Sequence, residues 1–87
     1  MAEVEIYTTV FCPYCARARL LLERKGISYT EIDIIEEPAR RDEMIRRAGG
    51  RTSVPQIFIN GEHIGGSDAL VALDRAGDLD AKLGSAK

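Results

Sequence analysis

A chain of 87 residues has room for one small domain, and its 30% charged and 45% hydrophobic residues suit a globular fold rather than a disordered tail. Its 12 Lys and Arg against 14 Asp and Glu leave a formal charge of −2, with no basic footprint for nucleic acid. No stretch reaches membrane-spanning length, and Glu3 and Glu5 stand where an export signal needs an apolar run, so we expect a cytoplasmic, reducing location with no membrane partner.

Residues 3–8 alternate and are rich in β-formers, which predicts a strand. Residues 9–11 then deliver Cys12. A helix over 13–25 follows, because Pro13 suits the first helical position, where its missing N–H has no partner to lose. Cys12 thus falls at the N-cap, facing the free amides of the first turn, and these with the helix dipole stabilise a thiolate. Cys15, Ala18, Leu21 and Leu22 form the inward stripe, and Arg24, Lys25 and Gly26 mark the C-terminal end. Residues 28–34 read as a second strand, with Thr30, Ile32 and Ile34 on one face. Strand, helix and strand with short loops predict two parallel strands and a right-handed crossover.

Cys12 and Cys15 are the only cysteines, three positions apart. Half a zinc site, a loop staple and a redox pair share that spacing. A closed zinc site takes four ligands, and the chain adds only the single His63. A staple across so short a loop gains little chain entropy. The redox reading needs a βαβ pattern around the motif, and that pattern is present.

Glu36, Glu37 and Pro38 open a second helix, whose apolar face is Met44, Ile45 and Ala48 and which ends at Gly49 and Gly50. Arg40, Arg41, Arg46, Arg47 and Arg51 make this region basic. We read them first as a solvated face balanced by Asp42 and Glu43; the alternative is that some of them reach toward a site, since Arg40 and Arg47 flank the apolar stripe. Asn60-Gly61 between apolar runs predicts a hairpin of strands 56–59 and 62–64, with Pro55 at its start and His63 as an exposed hairpin residue. Gly65 and Gly66 turn the chain into a third helix over 69–75, capped by Ser67 or Asp68 and stopped at Gly77. The tail from Asp78 holds one more turn through Leu79 and Leu83, then frays.

The order β-α-β-α-β-β-α with Cys-x-x-Cys at the first helix resembles the thioredoxin fold in its minimal form: an α/β domain, here residues 1–87, on a four-stranded mixed sheet. Three motifs narrow the resemblance to a dithiol glutaredoxin. Cys12-Pro13-Tyr14-Cys15 matches the family's active site. Ser53-Val54-Pro55 resembles its Thr-Val-Pro, whose proline is cis. Gly65-Gly66-Ser67-Asp68 resembles its Gly-Gly-x-Asp. The resemblance implies a glutathione groove. Val54 pairs backbone to backbone with the cysteinyl unit beside Ser53 and Pro55. Gly66, Ser67 and Asp68 hold the γ-glutamyl end. Arg41 reaches the glycine carboxylate, and Tyr14 lines the groove. Where the family usually has lysine three residues before the first cysteine, this chain has Thr9.

The resemblance implies a glutathione-dependent thiol–disulfide oxidoreductase: a monomer with no metal and no permanently bound cofactor, whose partners are glutathione and disulfide-containing or glutathionylated proteins. A relative reduced by thioredoxin reductase would lack the positions filled here by Asp68 and Arg41. An iron–sulfur carrier, holding a cluster between two chains through Cys12 and two glutathiones, would have a motif without Pro13.

Overall fold

The computed structural model describes residues 3–83. It comprises β1 (Val4–Thr8), α1 (Pro13–Arg24), β2 (Thr30–Asp33), α2 (Pro38–Arg47), β3 (Gln56–Ile59), β4 (Glu62–Gly65), α3 (Ser67–Arg75) and α4 (Asp78–Leu83). The sheet order is β2-β1-β3-β4, with β1 parallel to β2 and antiparallel to β3, and β3 antiparallel to β4. This is the mixed four-stranded α/β architecture expected from the sequence.

Period-2 alternation in the two central strands builds two cores. Val4 and Ile6 of β1, with Ile57 and Ile59 of β3, pack against Ala18 and Leu22 of α1, Leu70 of α3, and Leu79 and Leu83 of α4. Tyr7 and Phe58 point to the other face, where Ile32, Ile34, Met44 and Ala48 complete a second core under α2. Lys25, just past α1, binds Asp74 at 2.6 Å and Asp80 at 2.9 Å, tying the end of α1 to α3 and α4.

Several boundaries differ from the sequence reading. The second strand pairs only over Thr30–Asp33 and leaves Thr30 exposed at the sheet edge, while Ile32 and Ile34 are buried as expected. Asp33 explains the early stop: its Oδ1 accepts from the amides of Ile35 at 2.8 Å and Glu36 at 3.3 Å, bending the chain toward α2. The third helix starts two residues early, at Ser67. Its N-cap is Gly66, with no side-chain cap bond, so neither Ser67 nor Asp68 caps it. Ser67 is instead buried. The hairpin forms as read, with Asn60 and Gly61 both at positive φ. The extra turn at Leu79 and Leu83 is α4, and the fraying expected after it lies outside the described residues.

α2 buries few apolar side chains for its length, and ionic contacts complete its docking. Arg47 donates to Glu5 Oε1 and to the Tyr7 hydroxyl, each at 2.8 Å, and its guanidinium lies 4.1 Å from the Phe58 ring centroid. The Tyr7 hydroxyl donates to Glu43, which also accepts from Arg40. Arg40 pairs with Glu43 on the helix face, as the balanced-face reading expected, whereas Arg47 is not solvated in that way and its placement is corrected: it reaches β1 and the Phe58 ring. The Tyr7 and Arg40 bonds hold the Glu43 carboxyl below its ordinary range, so Glu43 stabilises the fold above that range and loses its contribution as pH falls through it. Glu43→Gln is expected to cost about 1 kcal/mol near pH 7 and progressively less as pH falls through the lowered range of Glu43, where the wild type surrenders the same charge. Urea unfolding across that range measures it, and a cost that does not change with pH would contradict the assignment.

Candidate active site

β1 ends at Thr8, and the chain reaches α1 through an exposed loop in which Phe11 is 93% exposed. Cys12 is the N-cap, in extended backbone, and Pro13 occupies the first turn. The Cys15 N–H donates to Cys12 Sγ at 3.3 Å, the contact expected at a helix N-terminus. From the other side, the Cys12 thiol donates to the Val54 carbonyl at 3.7 Å. Both cysteines are free thiols.

Cys12 is partly open, whereas Cys15 is fully buried beneath α1. Burial first, and then its hydrogen bond with Cys12, push the Cys15 thiol up to about 12. Around neutral pH Cys15 stays protonated and shielded, so one sulfur is presented for attack and the other is held back.

The Val54–Pro55 bond is cis, as the family pattern implied. The segment carrying it is held by Gln56, whose Nε2 donates to the Ser53 carbonyl at 2.9 Å. The β4–α3 turn approaches closely. A Cβ on Gly66 would stand 3.4 Å from the Pro55 carbonyl. Gly65 lies at φ +121°, where a side chain is strained and its Cβ would meet Ala69 at 3.0 Å.

These segments enclose a cavity of about 400 Å³. Seven residues singled out in the sequence line it: Tyr14, Ser53, Val54, Pro55, Gly66, Ser67 and Asp68. Arg41 is exposed on α2 and is not among the lining residues. Arg51, Gln56 and Ala69 line it without having been singled out as site residues. In the sequence Arg51 is only part of a basic region. Gln56 was read only as a strand residue, although a lone amide heading an apolar strand is a signal that it serves a polar neighbour. Asp68 lies 3.9 Å from Arg17 and remains largely exposed. His63 is not the exposed hairpin residue expected: it is half-buried, with Nε2 2.7 Å from Gln56 Oε1 and its ring 5.1 Å from that of Phe58. Among the described residues no three His, Cys, Asp or Glu side chains gather to hold a metal ion, and no helix is long and apolar enough to cross a membrane.

The contrast between the sulfurs sets an expected labelling pattern. At about pH 8, where an ordinary thiol is partly ionised, iodoacetamide is expected to modify one thiol of the native protein, Cys12, and both only after denaturation. Peptide mapping by mass spectrometry checks this, and equal labelling of Cys15 in the native protein would contradict it.

Comparison with known proteins agrees with this geometry. The glutaredoxin family model matches residues 4–64. The chain is 58% identical to glutaredoxin 3 of Escherichia coli K12 over 83 residues, 95% of this chain and 99% of that protein. It is 54% identical to a glutaredoxin of Pseudomonas aeruginosa over 95% of this chain and 98% of that one. Among solved structures, the buckwheat glutaredoxin–glutathione complex superposes with a TM-score of 0.87 at 29% identity, covering 97% of this chain and 78% of that one. The solution structure of Brucella melitensis glutaredoxin gives 0.84 at 50% identity, covering 100% and 94%. The chain belongs to the glutaredoxin family, and Cys12 and Cys15 are the redox pair of a thiol–disulfide oxidoreductase.

Proposed function

We propose that the protein uses glutathione as its reductant and acts as a cytoplasmic monomer on protein disulfides and on protein–glutathione mixed disulfides. The observation that carries this reading is the cavity with Val54, whose carbonyl meets the Cys12 thiol, on one wall and the turn at Gly66, Ser67 and Asp68 on another. A γ-glutamyl-cysteinyl-glycine tripeptide offers a thiol, an extended peptide unit and an ammonium. The Val54 backbone suits the peptide, and the exposed Asp68 carboxylate suits the ammonium. Amides at the α3 N-terminus suit the γ-glutamyl carboxylate. Tyr14 supplies an apolar face, and Ser53 and Pro55 complete the wall. The buckwheat relative of the same fold is in complex with glutathione.

With a glutathionylated protein, the Cys12 thiolate attacks the glutathione sulfur. The protein thiolate departs, and glutathione remains disulfide-bonded to Cys12. A second glutathione thiolate attacks that glutathione sulfur, releasing glutathione disulfide and the Cys12 thiolate. With a protein disulfide, Cys12 bonds to one substrate sulfur and expels the other as a thiolate. Cys15 then gives up its proton and attacks Cys12, releasing the second substrate thiolate and closing a Cys12–Cys15 disulfide. Two glutathiones reopen it. The Cys12 bond and charge that raise the Cys15 thiol disappear once Cys12 is in a mixed disulfide, so Cys15 becomes easier to ionise when its attack is needed. Glutaredoxins as a class have potentials of about −200 to −230 mV, near the glutathione couple, so exchange runs in either direction.

Cys12→Ser is expected to abolish turnover of both substrate types. Cys15→Ser is expected to keep reduction of a glutathionylated peptide and lose reduction of protein disulfides. A coupled assay with glutathione and glutathione reductase tests this, and equal loss in both variants would overturn the division of roles.

The glycine carboxylate has two candidate cations: Arg41, by family pattern, and Arg51, from the cavity wall. Arg51→Ala and Arg41→Ala are each expected to raise the KM for a glutathionylated peptide by up to about fivefold at low salt, the limit for an exposed charge contact. The effect should shrink as salt rises. An unchanged KM in Arg41→Ala assigns that carboxylate to Arg51 alone. An unchanged KM in both would mean the tripeptide lies in another direction.

A further inference from the structure

A polar chain runs from the wall of the cavity across β3 to β4. Gln56 is 1% exposed; its Nε2 has two acceptors, both on Ser53, and its Oε1 has one partner, His63. The Ser53 carbonyl has no proton to give, so Gln56 must turn its NH₂ toward it, at 2.9 Å, with the Ser53 hydroxyl at 3.3 Å. That leaves Gln56 Oε1 facing His63 Nε2 at 2.7 Å, and an amide oxygen only accepts. His63 therefore donates from Nε2, as the neutral Nε2–H tautomer or as the imidazolium. Its ring is held by Phe58, with centroids 5.1 Å apart. Without that donor the buried Oε1 is unpaired, a state costly enough to turn the amide out of place.

We infer that His63 is a positioning residue for the glutathione site: through the Gln56 amide it holds the Ser53 carbonyl, and with it the wall that presents Val54 to Cys12. This rests on the proposed use of glutathione. His63 does not itself line the cavity. The Cys15 N–H bond to Cys12 lies wholly within α1 and its cap, and does not pass through β4. Loss of the His63 donor should therefore loosen the docking edge and leave the attacking sulfur as it was, a change in KM rather than kcat.

His63→Phe keeps a ring against Phe58 and removes the donor, and His63→Gln restores an N–H at similar reach. In steady-state reduction of a glutathionylated peptide, His63→Phe is expected to raise KM about three- to tenfold, as one lost hydrogen bond does, with kcat within about twofold of wild type. His63→Gln should return KM toward the wild-type value. Should His63→Phe fail to fold, His63→Leu is the second donor-free variant. An unchanged KM, an equal fall in kcat, or a His63→Gln protein as impaired as His63→Phe would overturn the inference, because ring packing alone would then explain His63. Nuclear magnetic resonance supplies a readout free of activity. The Gln56 side-chain amide protons should exchange slowly in wild type and His63→Gln and faster in His63→Phe, and equal exchange in all three would also overturn it. If wild type itself does not turn over the glutathionylated peptide, the proposed function fails, and the exchange measurement alone decides the role of His63.

Discussion

The antiparallel register of β1 against β3 is the constraint on which the site depends. Ile6 lies opposite Ile57 and Tyr7 opposite Gln56, so the end of β1 and the start of β3 meet at one end of the central strand pair. Cys12 follows β1 by a short loop, and Val54 stands two residues before the start of β3, so the pairing brings the thiol and the Val54 carbonyl together. A slip of one residue would turn Ile57 and Ile59 away from the first core and Phe58 into it, reversing the burial of a whole strand. The two cores thus enforce the register, and the register sets the distance between the Cys12 sulfur and the Val54 carbonyl.

Helices then divide the chemistry. α1 presents one sulfur at its free amides and buries the other a turn later, so a single element separates the two sulfurs by burial and by hydrogen bonding. α3 adds the opposite wall, its N-terminus brought close by the Gly65–Gly66 turn. α2 stands apart from the cavity and closes the far face of the sheet, where Arg47 bridges Glu5, Tyr7 and the Phe58 ring. The Arg47 charge there supports the strand pair from behind.

Most of this frame was legible in the residues. Pro13 after Cys12, the stripe on the first helix and Asn60-Gly61 in the hairpin are local signals, and each element appeared. Local signals also misled where tertiary contacts compete. Ser67 and Asp68 have capping chemistry, yet the turn places Gly66 at the cap and buries Ser67. The arginines of α2 carry the signature of a solvated face, but Arg47 reaches partners on β1, 40 or more positions away, and Glu43, the carboxylate that balances Arg40, also binds Tyr7 36 positions away. Such pairings leave no trace in spacing. The same holds for the Ser53–Gln56–His63 chain: its members are ordinary loop, strand and hairpin residues until β3 and β4 pair. The motif at residues 53–55 named the docking edge, and nothing local named what holds it.

The central claim is that Cys12 and the cavity beside it form one glutathione site. The most direct measurement is the structure, by nuclear magnetic resonance or crystallography, of the Cys15→Ser variant trapped with oxidised glutathione. The account expects a single glutathione disulfide-bonded to Cys12, its cysteinyl backbone against Val54 and its γ-glutamyl end at Gly66, Ser67 and Asp68. A glutathionyl group on Cys12 that lies outside this cavity, with the Val54 backbone left unpaired, would contradict it.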